Sequence, residues 1–112
     1  MLDTLKHYKV FAKFVEWMLP NHRMRNNKFF NFNERRDIPD RELISLLVEF
    51  CDSEGYYIEI STHLTGGECL FSYSIWNVKQ LTKSIVNDSF ISTRTEATKE
   101  AILRVFQLME KE

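Results

Sequence analysis

The chain has 112 residues, 44% hydrophobic and 28% charged, with a formal net charge of −1 and two cysteines. That length suits one domain with a single core, and the composition argues against disorder along the whole chain. No apolar run reaches the roughly 18–20 residues of a membrane span, and the N-terminus lacks a signal-peptide pattern, so a cytoplasmic protein is expected, with Cys51 and Cys69 as free, buried thiols.

The first helix is predicted over Thr4–Leu19, with Asp3 as N-cap and Pro20 as its stop. Leu5, Tyr8, Ala12, Val15 and Leu19 form its apolar stripe, widened by Phe11, Phe14 and Met18. Val10 and Trp17 extend the arc, so this helix is expected to touch two partners. Lys6, Lys9, Lys13 and Glu16 make the opposite, charged face; a solvated face explains it, and a membrane-surface helix is the sharper reading.

Residues 21–37 form a long basic and aromatic connection. Five asparagines disfavour helix and strand interiors, whereas Phe29, Phe30 and Phe32 call for burial. Arg23, Arg25, Lys28, Arg35 and Arg36 can neutralise phosphates, with His22 beside them, and the three phenylalanines can stack on unpaired bases. Two other readings stand beside this one. The phenylalanines can tuck into the core while the arginines pair with acids elsewhere, or the segment can be a protein-binding loop.

A second helix is predicted over Asp40–Ser53, started by Pro39 and Asp40 and stopped before Gly55. Its buried face is Leu43, Leu46, Leu47, Phe50 and Cys51, with Ile44 and Val48 nearby. A strand over Tyr56–Ser61 follows, then a Thr65-Gly66-Gly67-Glu68 turn and a return strand over Cys69–Trp76. Tyr56, Ile58, Ile60, Phe71, Tyr73 and Ile75 define the face expected to carry the helices. If helices cover both faces, Tyr57, Leu70 and Trp76 make a second small core. Residues 77–91 allow either a short helix capped by Asn77 or a third strand around an Asn87-Asp88 turn; the β-branched and aromatic residues favour strand. The final helix opens on a capping-box pattern, Thr93 to Glu96, and carries Ala97, Ala101, Val105 and Leu108, widened by Ile102, Phe106 and Met109. The fold class is therefore α+β: an antiparallel sheet of two to four strands packed by three helices.

Charge is unevenly spread. Residues 1–36 hold eight Lys/Arg against three acids, residues 37–75 one against eight, and residues 76–112 six against five. This marks either a polarised surface or charges that pair within the fold. The acids about the second helix, Asp37, Asp40, Glu42, Glu49, Asp52 and Glu54, suit helix-start chemistry or solvation better than a shared pocket. His7, His22 and His63 have no metal-ligand spacing with one another or with Cys51 and Cys69. Nucleophile-elbow, phosphate-loop, zinc-protease and dinucleotide motifs do not occur. No enzymatic activity and no cofactor are expected.

The run Ile38-Pro39-Asp40-Arg41-Glu42-Leu43-Ile44, ahead of a strand opening Gly55-Tyr56-Tyr57, resembles small phage and prophage proteins with an ABA-sandwich-like domain. Ser92-Thr93-Arg94-Thr95-Glu96-Ala97 before an amphipathic helix is similar to the tail of many proteins of phages and mobile elements. The resemblance covers residues 38–76 and 90–111 and implies a genomic setting, with no catalytic motif to carry over. The expected function is a small accessory protein acting by protein–protein binding, conceivably on a host system. The aromatic excess also suits a patch used for homodimerisation. The alternative is a single-stranded nucleic-acid binder using residues 22–36.

Overall fold

A computed structural model describes residues 2–22, 40–87 and 90–111. The elements are α1 (Leu2–Leu5), α2 (Val10–His22), α3 (Asp40–Ser53), β1 (Tyr56–Thr65), β2 (Glu68–Asn77), β3 (Thr82–Val86) and α4 (Arg94–Glu110). The three strands form one antiparallel sheet in the order β1-β2-β3. This is the α+β class expected from the sequence.

The expected first helix is split. Its N-terminal turn stops at Leu5, and the chain turns through residues 6–9 before α2 begins at Val10. Leu5 O accepts from Tyr8 N at 3.0 Å and Tyr8 O from Phe11 N at 3.1 Å, three-residue bonds tighter than the α-helical four. The break shifts the helical phase. The buried stripe of α2 is Val10, Phe14 and Met18 at four-residue spacing, while Ala12 is exposed and Tyr8, Phe11, Val15 and Trp17 are half-buried. Pro20 does not stop α2, which continues to His22.

α2 packs against both α3 and α4, the two partners its wide apolar arc implied. Rings tie the three helices together. Phe14 of α2 meets Phe50 of α3 edge-on at 5.5 Å, Phe50 meets Phe106 of α4 at 6.0 Å, and Phe106 meets Tyr8 at 6.4 Å. Edge-to-face pairs of this kind contribute about 0.5–1.5 kcal/mol beyond the area they bury. The α3 face is the expected one, with Leu43, Leu46, Leu47, Phe50 and Cys51 all buried. Gly55 then takes φ +92°, a left-handed value that releases the chain from α3 into β1.

Both hairpin strands run longer than expected, because Gly66 and Gly67 form a two-residue loop with φ +57° and +79°. Such a loop follows the twist of the strands, so the ladder continues to Thr65 and Glu68 on either side of it. Asn77 caps only a turn, accepting from Gln80 N at 3.2 Å. The third strand follows, paired with Ser74–Asn77 of β2, and Ile91 makes one further bridge to Phe71. Asp88 and Ser89 lie outside the described residues.

α4 starts as expected, with Glu96 N donating to Thr93 Oγ1 at 3.1 Å. The reciprocal half of the capping box is not formed. The Glu96 carboxylate lies 3.8 Å from Lys99 Nζ instead. Ala97, Ala101, Ile102, Val105, Phe106 and Met109 are buried against the sheet and the other helices, and Leu108 is half-buried. Tyr56, Ile58, Tyr73 and Ile75 supply the sheet's share of the core, with Ile60 packed at its margin.

Candidate functional site

The strand period of two puts alternate residues on opposite faces of the sheet. The even-numbered residues of β1 face the helices. The odd-numbered ones, Tyr57, Glu59, Ser61 and His63, share the other face with Leu70, Ser72, Ser74 and Trp76 of β2. Among the described residues no helix covers that second face. Tyr57 is 50% exposed, and Trp76 and Leu70 are only half-buried, so the described residues form no second small core. The reason is topological: α2, α3 and α4 all gather on the first face, where the larger aliphatic residues lie.

One end of the bare face is built around Trp76. Tyr57 stands opposite it on β1. Its indole Nε1 donates to Glu59 Oε1 at 3.3 Å, and Lys83 Nζ lies 4.9 Å from its ring centre. A bulge puts Lys83 there. The β2–β3 register slips between Ile75 and Trp76, so that Ile85 faces Ile75 while Lys83 faces Trp76. The extra residue, Ser84, turns Lys83 to the bare face. Val86, 55% exposed, faces Ser74 beside this cluster.

The other end is built around His63. Its Nε2 lies 2.8 Å from Ser72 Oγ, and its ring is 4.7 Å from that of Phe90. Phe90 reaches this face because its neighbour Ile91 is locked to Phe71 by two hydrogen bonds of 2.7 and 2.8 Å. Phe71 and Ile91 point toward the helices, where the Arg94 guanidinium lies 5.5 Å from the Phe71 ring, so Phe90 points the opposite way. Phe90 is 56% exposed. Between the two ends lie Ser61, Ser72 and Ser74.

A separate open cleft of about 440 Å³ lies between α1 and the start of α4, lined by Leu5, Ile91, Leu103, Glu96, Lys99 and Glu100 among others. Its Lys99 and Glu96 already neighbour each other. Tyr73 is buried nearby under α4, and its Oη has no hydrogen-bond partner among the described residues. Burial pushes its phenol above the ordinary value, against the opposing pull of Arg104.

The residues proposed from sequence as a binding segment, Arg23, Arg25, Lys28, Phe29, Phe30, Phe32, Arg35 and Arg36, lie outside the described residues. Lys6, Lys9 and Lys13 are exposed on the N-terminal stretch, with Lys13 Nζ 3.3 Å from Glu54 Oε1. Among the described residues no three His, Cys, Asp or Glu side chains are grouped to hold a metal ion, and no helix is long and apolar enough to cross a membrane. Sequence reasoning placed Tyr57, Leu70 and Trp76 on this face but did not identify it as a surface. Phe90 and His63 were separated by 27 positions, and only the strand register brings them together. No family model matches the chain, and no curated protein or solved structure matches it either.

Proposed function

We propose that this chain is a non-enzymatic protein-binding module that docks its partner on the bare face of the sheet. The observation that carries this reading is the placement of exposed apolar residues. Among the residues whose exposure is described, Tyr57, Val86 and Phe90 are large hydrophobic residues left exposed on this face, with Val78 and Leu81 exposed in the adjoining turn, while Leu64 is exposed on the helix side of the sheet edge. Clustered apolar exposure rimmed by polar groups marks interaction surfaces, and aromatic residues are enriched at their centres.

Charge supports a protein partner over nucleic acid at this face. Glu59 and Glu68 offset Lys83, leaving no net positive charge to neutralise phosphates. The partner should therefore present apolar and hydrogen-bonding groups in place of a dense charge of one sign. The resemblance of residues 38–76 and 90–111 to phage and prophage proteins supports an accessory role in a phage or mobile element, with a partner from the element or its host.

The test is site-specific photo-crosslinking of the full chain in bacterial cells. A benzophenone side chain replacing Tyr57 or Phe90 should trap the same protein, and Trp76→Ala should abolish the product. The same group at Ser45, exposed on α3, should trap nothing. Equal trapping from Ser45, or unrelated products from positions 57 and 90, would overturn the assignment.

A further inference from the structure

We propose a second interaction surface, distinct from the bare face: β1 pairs antiparallel with β1 of a second copy, joining two sheets into one of six strands. The sheet order leaves β1 with β2 on one side and, among the described residues, no strand on the other. The two-residue loop sets which backbone groups point outward. Thr65 and Glu68 close it as a hydrogen-bonded pair, so the odd-numbered residues of β1 exchange bonds with β2. The Val78 N to Gly55 O bond of 2.9 Å continues the same phase. Ile58, Ile60, Thr62 and Leu64 therefore aim their N–H and C=O groups away from β2.

Protein edges of this length normally carry devices against pairing: charged side chains, lysine above all, a proline, a bulge, or a covering helix or loop. The ten residues of β1 contain no Lys, Arg or Pro, and their register with β2 is unbroken. The bulge of this sheet lies in the other strand pair. Its one carboxylate is Glu59, and Leu64, at 81% exposure, sits on this edge.

The side chains select a second copy as the occupant and fix the register. With a two-fold axis at Ser61, Ile58 faces the second copy's Leu64, and Ile60 faces its Thr62, on the helix side. Glu59 then faces the second copy's His63 on the bare side, twice by symmetry. The atoms are available for this pairing. Glu59 Oε1 is taken by Trp76 and His63 Nε2 by Ser72, which leaves Oε2 and Nδ1 without a hydrogen-bond partner among the described residues. Moving the axis to Ile60 or Thr62 sets Glu59 against Ser61 or Thr65 and loses both pairs. A polar pair directly opposite across two strands is the unit that specifies such a register.

Sedimentation velocity on the full chain, from low micromolar to about 1 mM, tests the proposal. Wild type should show a concentration-dependent dimer. Thr62→Pro removes an N–H that β2 does not use, so the chain should stay folded by circular dichroism while dimerisation weakens at least tenfold. Glu59→Lys alone should weaken it similarly, and adding His63→Glu should restore it by reversing both pairs. A monomer throughout the concentration range would overturn the proposal and leave the edge to a strand of another protein. A dimer indifferent to Thr62→Pro, or to the charge reversals should Thr62→Pro fail to fold, would place the contact elsewhere and overturn it equally.

Discussion

The start of α2 is held by the end of α4, and removing that link has a calculable cost. The first amides of a helix have no partner within it. Here Lys9 N donates to Glu110 Oε1 at 3.1 Å and Val10 N to Glu110 Oε2 at 3.3 Å, across about 100 residues of sequence. One carboxylate thus satisfies two amides at the positive end of the α2 dipole. Removing a helix-capping acceptor costs about 0.5–2 kcal/mol, and the charge at the dipole adds about 0.3–1 kcal/mol. We take about 1.5 kcal/mol for Glu110→Ala, since Glu110 is half-buried. At about 2.1 cal/mol/K of unfolding entropy per residue, 112 residues lose about 4 °C for each kcal/mol. Differential scanning calorimetry should therefore show Tm falling by about 6 °C. Glu110→Gln keeps one acceptor oxygen without the charge and should fall between Ala and wild type. Lys111→Ala, exposed next door, should change Tm by less than about 1 °C. A Glu110→Ala shift as small as that of Lys111→Ala, or a Gln variant less stable than the Ala variant, would refute the cap.

Asp52 sits in the last turn of α3, at the negative end of the helix. Burial and then Glu49 hold its carboxyl above the ordinary value of 3.8. Its folded-state pKa exceeds the unfolded one, so the associated penalty is absent in acid and complete once pH has risen through the folded value. Asp52→Asn should accordingly stabilise the chain near neutral pH by about 0.3–0.5 kcal/mol, with the gain vanishing toward pH 3, as read by urea unfolding across that range. A gain independent of pH would show that charge is not its cause. The two cysteines should separate under a thiol reagent. Cys69 is exposed beside the hairpin loop, not buried as its apolar pattern suggested, and should react within minutes, whereas Cys51 is fully buried and burial pushes its thiol far above the usual range. Two fast-reacting thiols per chain would contradict that core.

Periodicity made most of the fold legible. α3 and α4 follow their apolar stripes, and the Gly-Gly pair marks the hairpin because only a left-handed two-residue loop fits it. The break at residues 6–9 was hidden, because Leu5, Tyr8, Phe11 and Ala12 continue a helical spacing through it. What decides the break is long-range: Glu110 offers acceptors to Lys9 and Val10, and Tyr8 Oη accepts from Gln107 Nε2 at 3.2 Å. The third strand was legible in composition, but its bulge was not, since a bulge depends on the partner strand's register. The candidate face was legible only by residue type. Tyr57 and Trp76 could be assigned to one side of a sheet, yet nothing local says whether a helix covers that side. The basic-aromatic segment was the most conspicuous stretch of sequence, and its residues fall outside those described.

The composition of the bare face argues that its exposure is not an unfinished core. Tyr57 and His63 stand about 20 Å apart at about 3.3 Å per residue, and the span between their clusters is occupied by Glu59, Ser61, Ser72 and Ser74. Ser74 is already buried, but a third layer packed permanently here would also have to bury the half-buried Ser61 and Ser72 hydroxyls and the exposed Glu59 carboxylate, each costing about 1–3 kcal/mol if left unpaired. A partner surface has no such obligation. It can anchor on the aromatic ends, leave water over Ser61 and Ser72 and still bind specifically, because wet polar contacts are ordinary at interfaces and rare in cores. The helix side of the same sheet shows the contrast. There Ile58, Tyr73 and Ile75 are sealed under α3 and α4, and among the described residues the buried groups without a hydrogen bond are the Tyr73 hydroxyl and Asn87 Oδ1. The two faces thus differ in kind: one is apolar and sealed, and the other mixes exposed aromatic residues with polar groups.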